Sequence, residues 1–273
     1  MEEQYVERLD YEIRINPYNI TRIIRPTEEM CIESVKIEPL MLQHIDEQTE
    51  EMCLIAVRQN GLALHFVKDQ TYEICLEAVR EYGKALEFVK EQTEELCLEA
   101  VRECGGALIY VIDQTEEICL EAVIEYGFMI VNVMEQTEEI RLEAVRENGL
   151  VIVHIGDPSI AVCLEALKSN GLALEYIKDP TDEMIVEALS QNGNAIRSIK
   201  NQTEELCLMA VRQDGLALKY VKNKTEEICL EAVKSRPDRV WYLLEMINDR
   251  KLCRRVKEAY RNKRFLTTKN ARR

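Results

Sequence analysis

One signature returns every 22 residues without an insertion, and this constrains the fold more than any other feature of the chain. Thr27-Glu28-Glu29 recurs at Thr49, Thr93, Thr115, Thr137, Thr203 and Thr225, while Thr71, Ser159 and Thr181 hold the weaker copies. Ten units in this register span residues 27–246. A constant short period means stacked copies of one small unit, each burying a face only against its neighbours. The unbroken period favours a single array over the two domains that a length of 273 residues would otherwise suggest.

Within one unit the periodicity is helical. In the copy from Thr115, Ile118, Cys119, Leu120, Ala122 and Val123 cover an arc of roughly 200° at 100° per residue, and Glu116, Glu117, Glu121 and Glu125 take the remainder. A glycine follows the helix in most copies, for example Asn60-Gly61 and Asn148-Gly149, which reads as a left-handed helix stop. The next segment, such as Leu216-Ala217-Leu218-Lys219-Tyr220-Val221, breaks strand alternation and reads as a second helix of about two turns, partly 3₁₀. Two helix starts are compatible with the residues. Thr is a good N-cap, but Asp157-Pro158 and Asp179-Pro180 also resemble an Asp cap with Pro at the first helical position. The expected fold is all-α: an α-solenoid of about ten 22-residue helix–turn–helix repeats with degenerate end caps. Residues 1–26 form the N-terminal cap, 27–246 the array, and 247–273 a capping helix with a basic tail. In the tail, Trp241, Leu244, Met246, Ile247, Leu252, Val256 and Tyr260 suggest one helix running on to close the last repeat.

Eight of the ten cysteines (Cys31, Cys53, Cys75, Cys97, Cys119, Cys163, Cys207 and Cys229) share one position inside the apolar arc. Equivalent atoms of adjacent repeats should lie one helix spacing apart, beyond disulfide reach, and the units lack the close Cys/His pairing of a zinc site. These thiols are therefore expected to be packing residues, with no metal and no cofactor. Arg141 stands in the same column, where its charge must reach the surface or mark a local site or kink.

Charge is strongly divided. From Arg250 to Arg273 there are 11 Lys/Arg and one acid, against 24 basic and 49 acidic residues in the rest of the chain. Stacking should align the glutamates as stripes, which suits basic protein partners and repels nucleic acid along the array. The candidate partner surface is Glu94, Glu95, Glu99, Glu116, Glu117, Glu121, Glu138, Glu139, Glu143 and Arg141. Variable outward positions, including Arg58, Gln59, Arg80, Glu81, Glu87, Arg146, Glu147, Glu175 and Lys219, would select the partner. The competing reading gives nucleic acid to the tail through Arg250, Lys251, Arg254, Arg255, Lys257, Arg261, Lys263, Arg264, Lys269, Arg272 and Arg273. A third reading is a self-associating structural component. The sequence sets no oligomeric state.

Enzyme chemistry finds no support in the residues. His44, His65 and His154 are far apart, and no phosphate-binding loop or nucleophile elbow is present. Paired glutamates that recur in most copies at a helix start are capping chemistry rather than a single acid/base site. No apolar run is long enough for a membrane span. The acidic opening Met1-Glu2-Glu3-Gln4 gives no expectation of a secretory signal.

The pattern T-E-E-x-C-L-x-A-V-x-x-x-G-x-A-L-x-Y-V-K-x-Q, best kept from Thr93 to Gln114 and from Thr203 to Lys224, resembles the repeat of domain of unknown function 4116. The resemblance covers roughly residues 12–246, with Arg141 and Ser159-Ile160-Ala161 as departures. It implies an α-helical repeat protein of a giant DNA virus of amoebae, located in the cytoplasm of the infected cell, with nucleus and virion as alternatives. It carries over no activity and no catalytic residue. The reading as a whole is a non-enzymatic protein–protein interaction scaffold.

Overall fold

The computed structural model describes residues 11–270, with side chains described as far as Arg261. It divides into two compact units, Met1–Ile140 and Arg141–Arg273, and the division falls inside the helix Glu138–Glu147. Among the described residues every regular element is helical, and no strand occurs.

Each repeat before the last consists of a ten-residue α-helix followed by a six-residue 3₁₀ segment, as in Glu94–Glu103 and Gly105–Tyr110. The 22-residue all-α repeat read from the sequence is thus present in both units. The second segment, expected as a partly 3₁₀ helix, is 3₁₀ throughout from Pro17–Arg22 to Gly215–Tyr220. Two turns fit this tighter helix because only three apolar residues per segment need a buried face. In Gly105–Tyr110 these are Gly105, Ala107 and Leu108.

The helix start is settled in favour of threonine. The hydroxyls of Thr27, Thr49, Thr71, Thr93, Thr115, Thr181, Thr203 and Thr225, and that of Ser159, accept the backbone N–H three residues on, at 3.1–3.4 Å. The glutamates that follow therefore lie in the first turn, where the helix dipole favours negative charge. Asp157 and Asp179 are not caps. Each lies two residues before the cap with φ of 46° and 48°, a left-handed conformation that Asp tolerates, so each proline precedes the helix instead of opening it.

The glycines correct a second expectation, since none has positive φ. The residue before each one is extended, for example Asn60 with φ −153°, and its side chain caps the 3₁₀ segment by accepting from the N–H of Leu62 at 3.1 Å. Glycine is required by contact. A Cβ on Gly149 would stand 2.2 Å from the carbonyl oxygen of Ala166 in the next repeat, and one on Gly171 would stand 2.3 Å from that of Ala188. The alanine column is correspondingly sealed, with Ala166 and Ala188 at 0% exposure.

The segment before the first full repeat keeps the same plan. Residues 11–15 are helical with Ile13 buried, and Asn16 caps the 3₁₀ segment Pro17–Arg22. At the other side the plan changes. Pro237–Arg239 is a single 3₁₀ turn leading directly into the α-helix Val240–Glu245. The expected single terminal helix is two helices, because Asp249 interrupts and caps the second, Arg250–Asn270, by accepting from Lys251 N at 2.7 Å. Leu244, Ile247 and Val256 are buried there and close the last repeat.

Candidate interaction surface

Stacking brings each helix into register with the next, and this consumes part of the charge that the sequence offers to a partner. Arg58 pairs with Glu77 at 2.6 Å, Arg80 with Glu99 at 2.6 Å, Arg102 with Glu121 at 2.9 Å, and Arg146 with Glu165 at 3.3 Å. In each pair the arginine stands 19 residues before its glutamate, so the ladder ties consecutive repeats together. The carboxylate also holds each guanidinium of Arg80 and Arg102 above its ordinary pKa. Glu99 and Glu121, expected on a free surface, are thus rungs of this ladder, and Glu143 pairs with Arg146 of its own helix. These pairs are exposed and screened by solvent, so each is a weak tie.

The other predicted glutamates stay at the surface. Glu94, Glu95, Glu116, Glu117, Glu138 and Glu139 are exposed in the first turns of their helices. Glu116 also accepts a hydrogen bond from the Thr137 hydroxyl at 2.6 Å. Arg141 is only partly exposed, and its Nε is buried without a hydrogen-bond partner, so the expected snorkelling is incomplete. It lies in the helix Glu138–Glu147.

A second ladder runs along the 3₁₀ edge and went unread in the sequence. Gln92 donates through Nε2 to Tyr110 O at 2.9 Å, and its Oε1 accepts from Ile112 N at 3.0 Å, so one side chain fastens the next repeat's loop. Gln48, Gln70 and Gln202 make the same pair of bonds to Phe66 and Lys68, to Phe88 and Lys90, and to Tyr220 and Lys222. The signal was visible as the glutamine that closes most repeats, at Gln48, Gln70, Gln92, Gln114, Gln136 and Gln202. A side chain at the helix end adds a further tie between repeats, with Gly61 N donating to Glu81 Oε2 at 3.0 Å and, where Pro158 replaces the glutamine, Gly149 N donating to the Ser169 hydroxyl at 3.0 Å. Gly171 N donates to Gln191 Oε1 at 2.6 Å, and Gly193 N to Gln213 Oε1 at 2.7 Å.

Outside that staple stands a lysine column. Lys68 reaches back to Asp46 O at 2.8 Å, Lys90 to Lys68 O at 2.7 Å, and Lys222 to Lys200 O at 2.7 Å. In two consecutive repeats the column turns apolar, with Ile112 66% and Met134 76% exposed. The neighbouring outward position of the 3₁₀ segment changes with it. Where His65, Glu87, Glu175, Arg197 and Lys219 stand in other repeats, these two carry Ile109 and Val131, both exposed, and the repeat after them carries exposed Val153. The same stretch holds exposed Ile124, at the position of the ladder arginines, and the exposed ring pair Tyr126 and Phe128 with centroids 6.0 Å apart. Large apolar side chains left open together within one stretch are a stronger sign of an interaction site than the scattered single residues of an ordinary surface.

Two stretches of the chain, residues 49–93 and 203–250, match the family model described as domain of unknown function (DUF4116). The matches support that family for the repeats. No curated protein and no solved structure matches the chain. The two DUF4116 stretches lie on either side of the apolar interruption, which is where the sequence departs from the regular lysine column.

The cysteine column is buried at 0–5% exposure and unpaired. Within it, Cys97 Sγ donates to Gln92 Oε1 at 3.5 Å, which adds the thiol to the glutamine staple. Burial, reinforced by Asp113 and Glu94, pushes the Cys97 thiol up to about 11, and burial with Asp69 and Glu50 does the same for Cys53. These thiols stay protonated and unreactive near neutral pH. The raised values carry a sign for stability. A thiol titrating near 9 when unfolded and near 11 when folded stabilises the fold fully below pH 9, and that contribution is lost as pH rises through 11. Native protein treated with a thiol reagent at pH 8 should modify the half-exposed Cys104 and Cys253 quickly and the eight-residue column only on unfolding. Rapid modification of all ten in the native state would show that the column is open.

In the tail, Arg255 pairs with Glu226, a first-turn glutamate of the last repeat helix, and Lys257 Nζ lies 4.7 Å from the centroid of the Trp241 ring. One predicted nucleic-acid contact is therefore committed to capping. Arg250, Lys251, Arg254 and Arg261 are exposed. The side chains of Lys263, Arg264 and Lys269, together with Arg272 and Arg273, lie outside the described residues. Among the described residues no helix is long and apolar enough to cross a membrane.

Proposed function

We propose that the chain is a non-enzymatic protein-interaction scaffold whose contact surface centres on residues 105–134. The observation that carries this reading is the replacement of the lysine column by Ile112 and Met134, with Ile109 and Val131 beside them. Exposing four such side chains has no benefit for folding, because the equivalent lysines elsewhere keep the edge soluble and bond back to the preceding repeat. The loops that present them run straight into acidic helix starts. Ile112 is followed by Asp113, Glu116 and Glu117, and Met134 by Glu135, Glu138 and Glu139. A partner that fits offers apolar side chains bordered by lysine or arginine, which retains the basic-partner expectation and gives it an anchor.

The test is affinity capture of partners from nuclease-treated lysate by wild-type protein and by an Ile112→Lys/Met134→Lys variant, which restores the residue found at Lys68, Lys90, Lys178, Lys200 and Lys222. Capture of a discrete protein should weaken by at least about tenfold in the variant, while its fold remains unchanged. Equal capture by both forms would remove the apolar edge from the account. The second reading rests on exposed Arg250, Lys251, Arg254 and Arg261, which face solvent on one helix. It predicts nucleic-acid binding that falls steeply with salt and is indifferent to the Ile112 and Met134 changes.

A further inference from the structure

Independently of that partner surface, we propose that the chain associates head to tail with itself, the acidic segment of residues 1–10 of one copy docking in a basic aromatic groove of the next. The groove lies beside the last helix and is lined by Pro237, Trp241, Val256, Lys257, Tyr260 and Arg261. Trp241 is 69% exposed, although it is the chain's one tryptophan and stands beside the buried Leu244 and Val256. A large ring left open in a groove, with a lysine ammonium already over it, offers an apolar floor and a cationic rim to one incoming segment. Arg250, Lys251 and Arg254 extend the positive charge along the same helix. The acid in the lining, Asp238, is paired with Arg239.

The complementary chemistry is in the chain itself. Residues 1–10 carry Glu2, Glu3, Glu7 and Asp10 against Arg8, with Tyr5, Val6 and Leu9 among them as apolar anchors. The described residues that follow keep large apolar groups open, with Tyr11 at 65% and Ile15 at 66%. An apolar segment of net negative charge and an apolar groove of net positive charge thus occur on different parts of one molecule. Such a contact is heterologous, so copies add in one direction into open chains or close into rings. It would also extend the logic of the repeats, in which each unit is completed only by a neighbour.

Charge reversal tests this on the 273-residue chain. One variant carries Glu2→Lys, Glu3→Lys, Glu7→Lys and Asp10→Lys, and the other Lys257→Glu and Arg261→Glu. Circular dichroism and thermal midpoints establish that both fold as the parent does. Sedimentation velocity over a concentration series at low salt should show the parent self-associating, with each variant alone weakened by more than about tenfold. Mixing the two variants should restore association, because every junction then pairs opposite charges. A parent that remains monomeric at every concentration would overturn the proposal, since the segment would then dock within its own chain or nowhere. Association that persists in both variants, or a mixture that stays monomeric, would overturn it as well.

Discussion

Gly149→Ala is expected to destabilise the protein by about 2–3 kcal/mol, far more than a glycine-to-alanine change at an ordinary site. The added methyl would lie 2.2 Å from Ala166 O and 3.0 Å from Asn170 N, and both obstacles are backbone atoms of the next repeat. Relief requires the two repeats to part, which also lengthens the hydrogen bond from Gly149 N to the Ser169 hydroxyl, now 3.0 Å. The backbone φ at this glycine is not positive, so the loss reports contact and not conformational strain. Gly156 is the internal control. A Cβ there meets nothing within 4 Å, and Gly156→Ala should leave the midpoint of urea unfolding within experimental error or raise it slightly. Equal midpoints for the Gly149 and Gly156 variants would show that the inter-repeat approach is looser than described.

The second large effect is expected at the glutamine staple. Gln92→Ala leaves the carbonyl of Tyr110 and the N–H of Ile112 without their partner and takes an acceptor from the Cys97 thiol. Partly buried backbone groups stripped of a hydrogen bond cost about 1–3 kcal/mol in total, less whatever water recovers at the exposed end. The consequence is local as well as global. Amide hydrogen exchange should accelerate at Ile112 and its neighbours, while the helix of the same repeat, held by Thr93 and its own ladder, changes little. Gln92→Glu separates hydrogen bonding from shape, since it keeps the acceptor for Ile112 N but loses the donor to Tyr110 O. Unchanged exchange at residues 110–112 in Gln92→Ala would mean that the staple is incidental.

Those two residues also show what a single sequence reveals and what it conceals. The period and the helical periodicity are local properties, written in the spacing of Thr93, Glu94, Leu96, Cys97, Ala100 and Val101, and the structure keeps them, taking the threonine cap of the two helix starts that the residues allowed. The glycine was visible, but its reason was not. A local rule assigns Gly61 to a left-handed stop, whereas the true constraint is the carbonyl of Ala78 in the following repeat, which only the stack supplies. Gln92 was hidden in the same way, because its partners lie 18 and 20 residues ahead. Glu99 and Glu121 were read as free for the same cause, since their arginines belong to the preceding repeat. The apolar edge was legible in principle. Setting the repeats in register puts Ile112 and Met134 under Lys68 and Lys90, and the departure matters only once the structure shows that the column faces solvent.

Departures from a repeat consensus divide accordingly. Arg141 alters a packed column and leaves an orphaned Nε, so its first effect is on packing. Ile109, Ile112, Val131 and Met134 alter exposed positions and leave the buried columns intact, at the cost of the back-bond that Lys68 and Lys90 make, which is the pattern expected of residues kept for binding.

Hydrogen exchange on the captured complex tests the central claim most directly. The account predicts protection on binding at residues 105–134, strongest in the loops carrying Ile112 and Met134, with the helix Arg250–Asn270 unchanged. Protection confined to Arg250–Asn270, with the repeats exchanging as in the free protein, would contradict it and assign function to the basic tail.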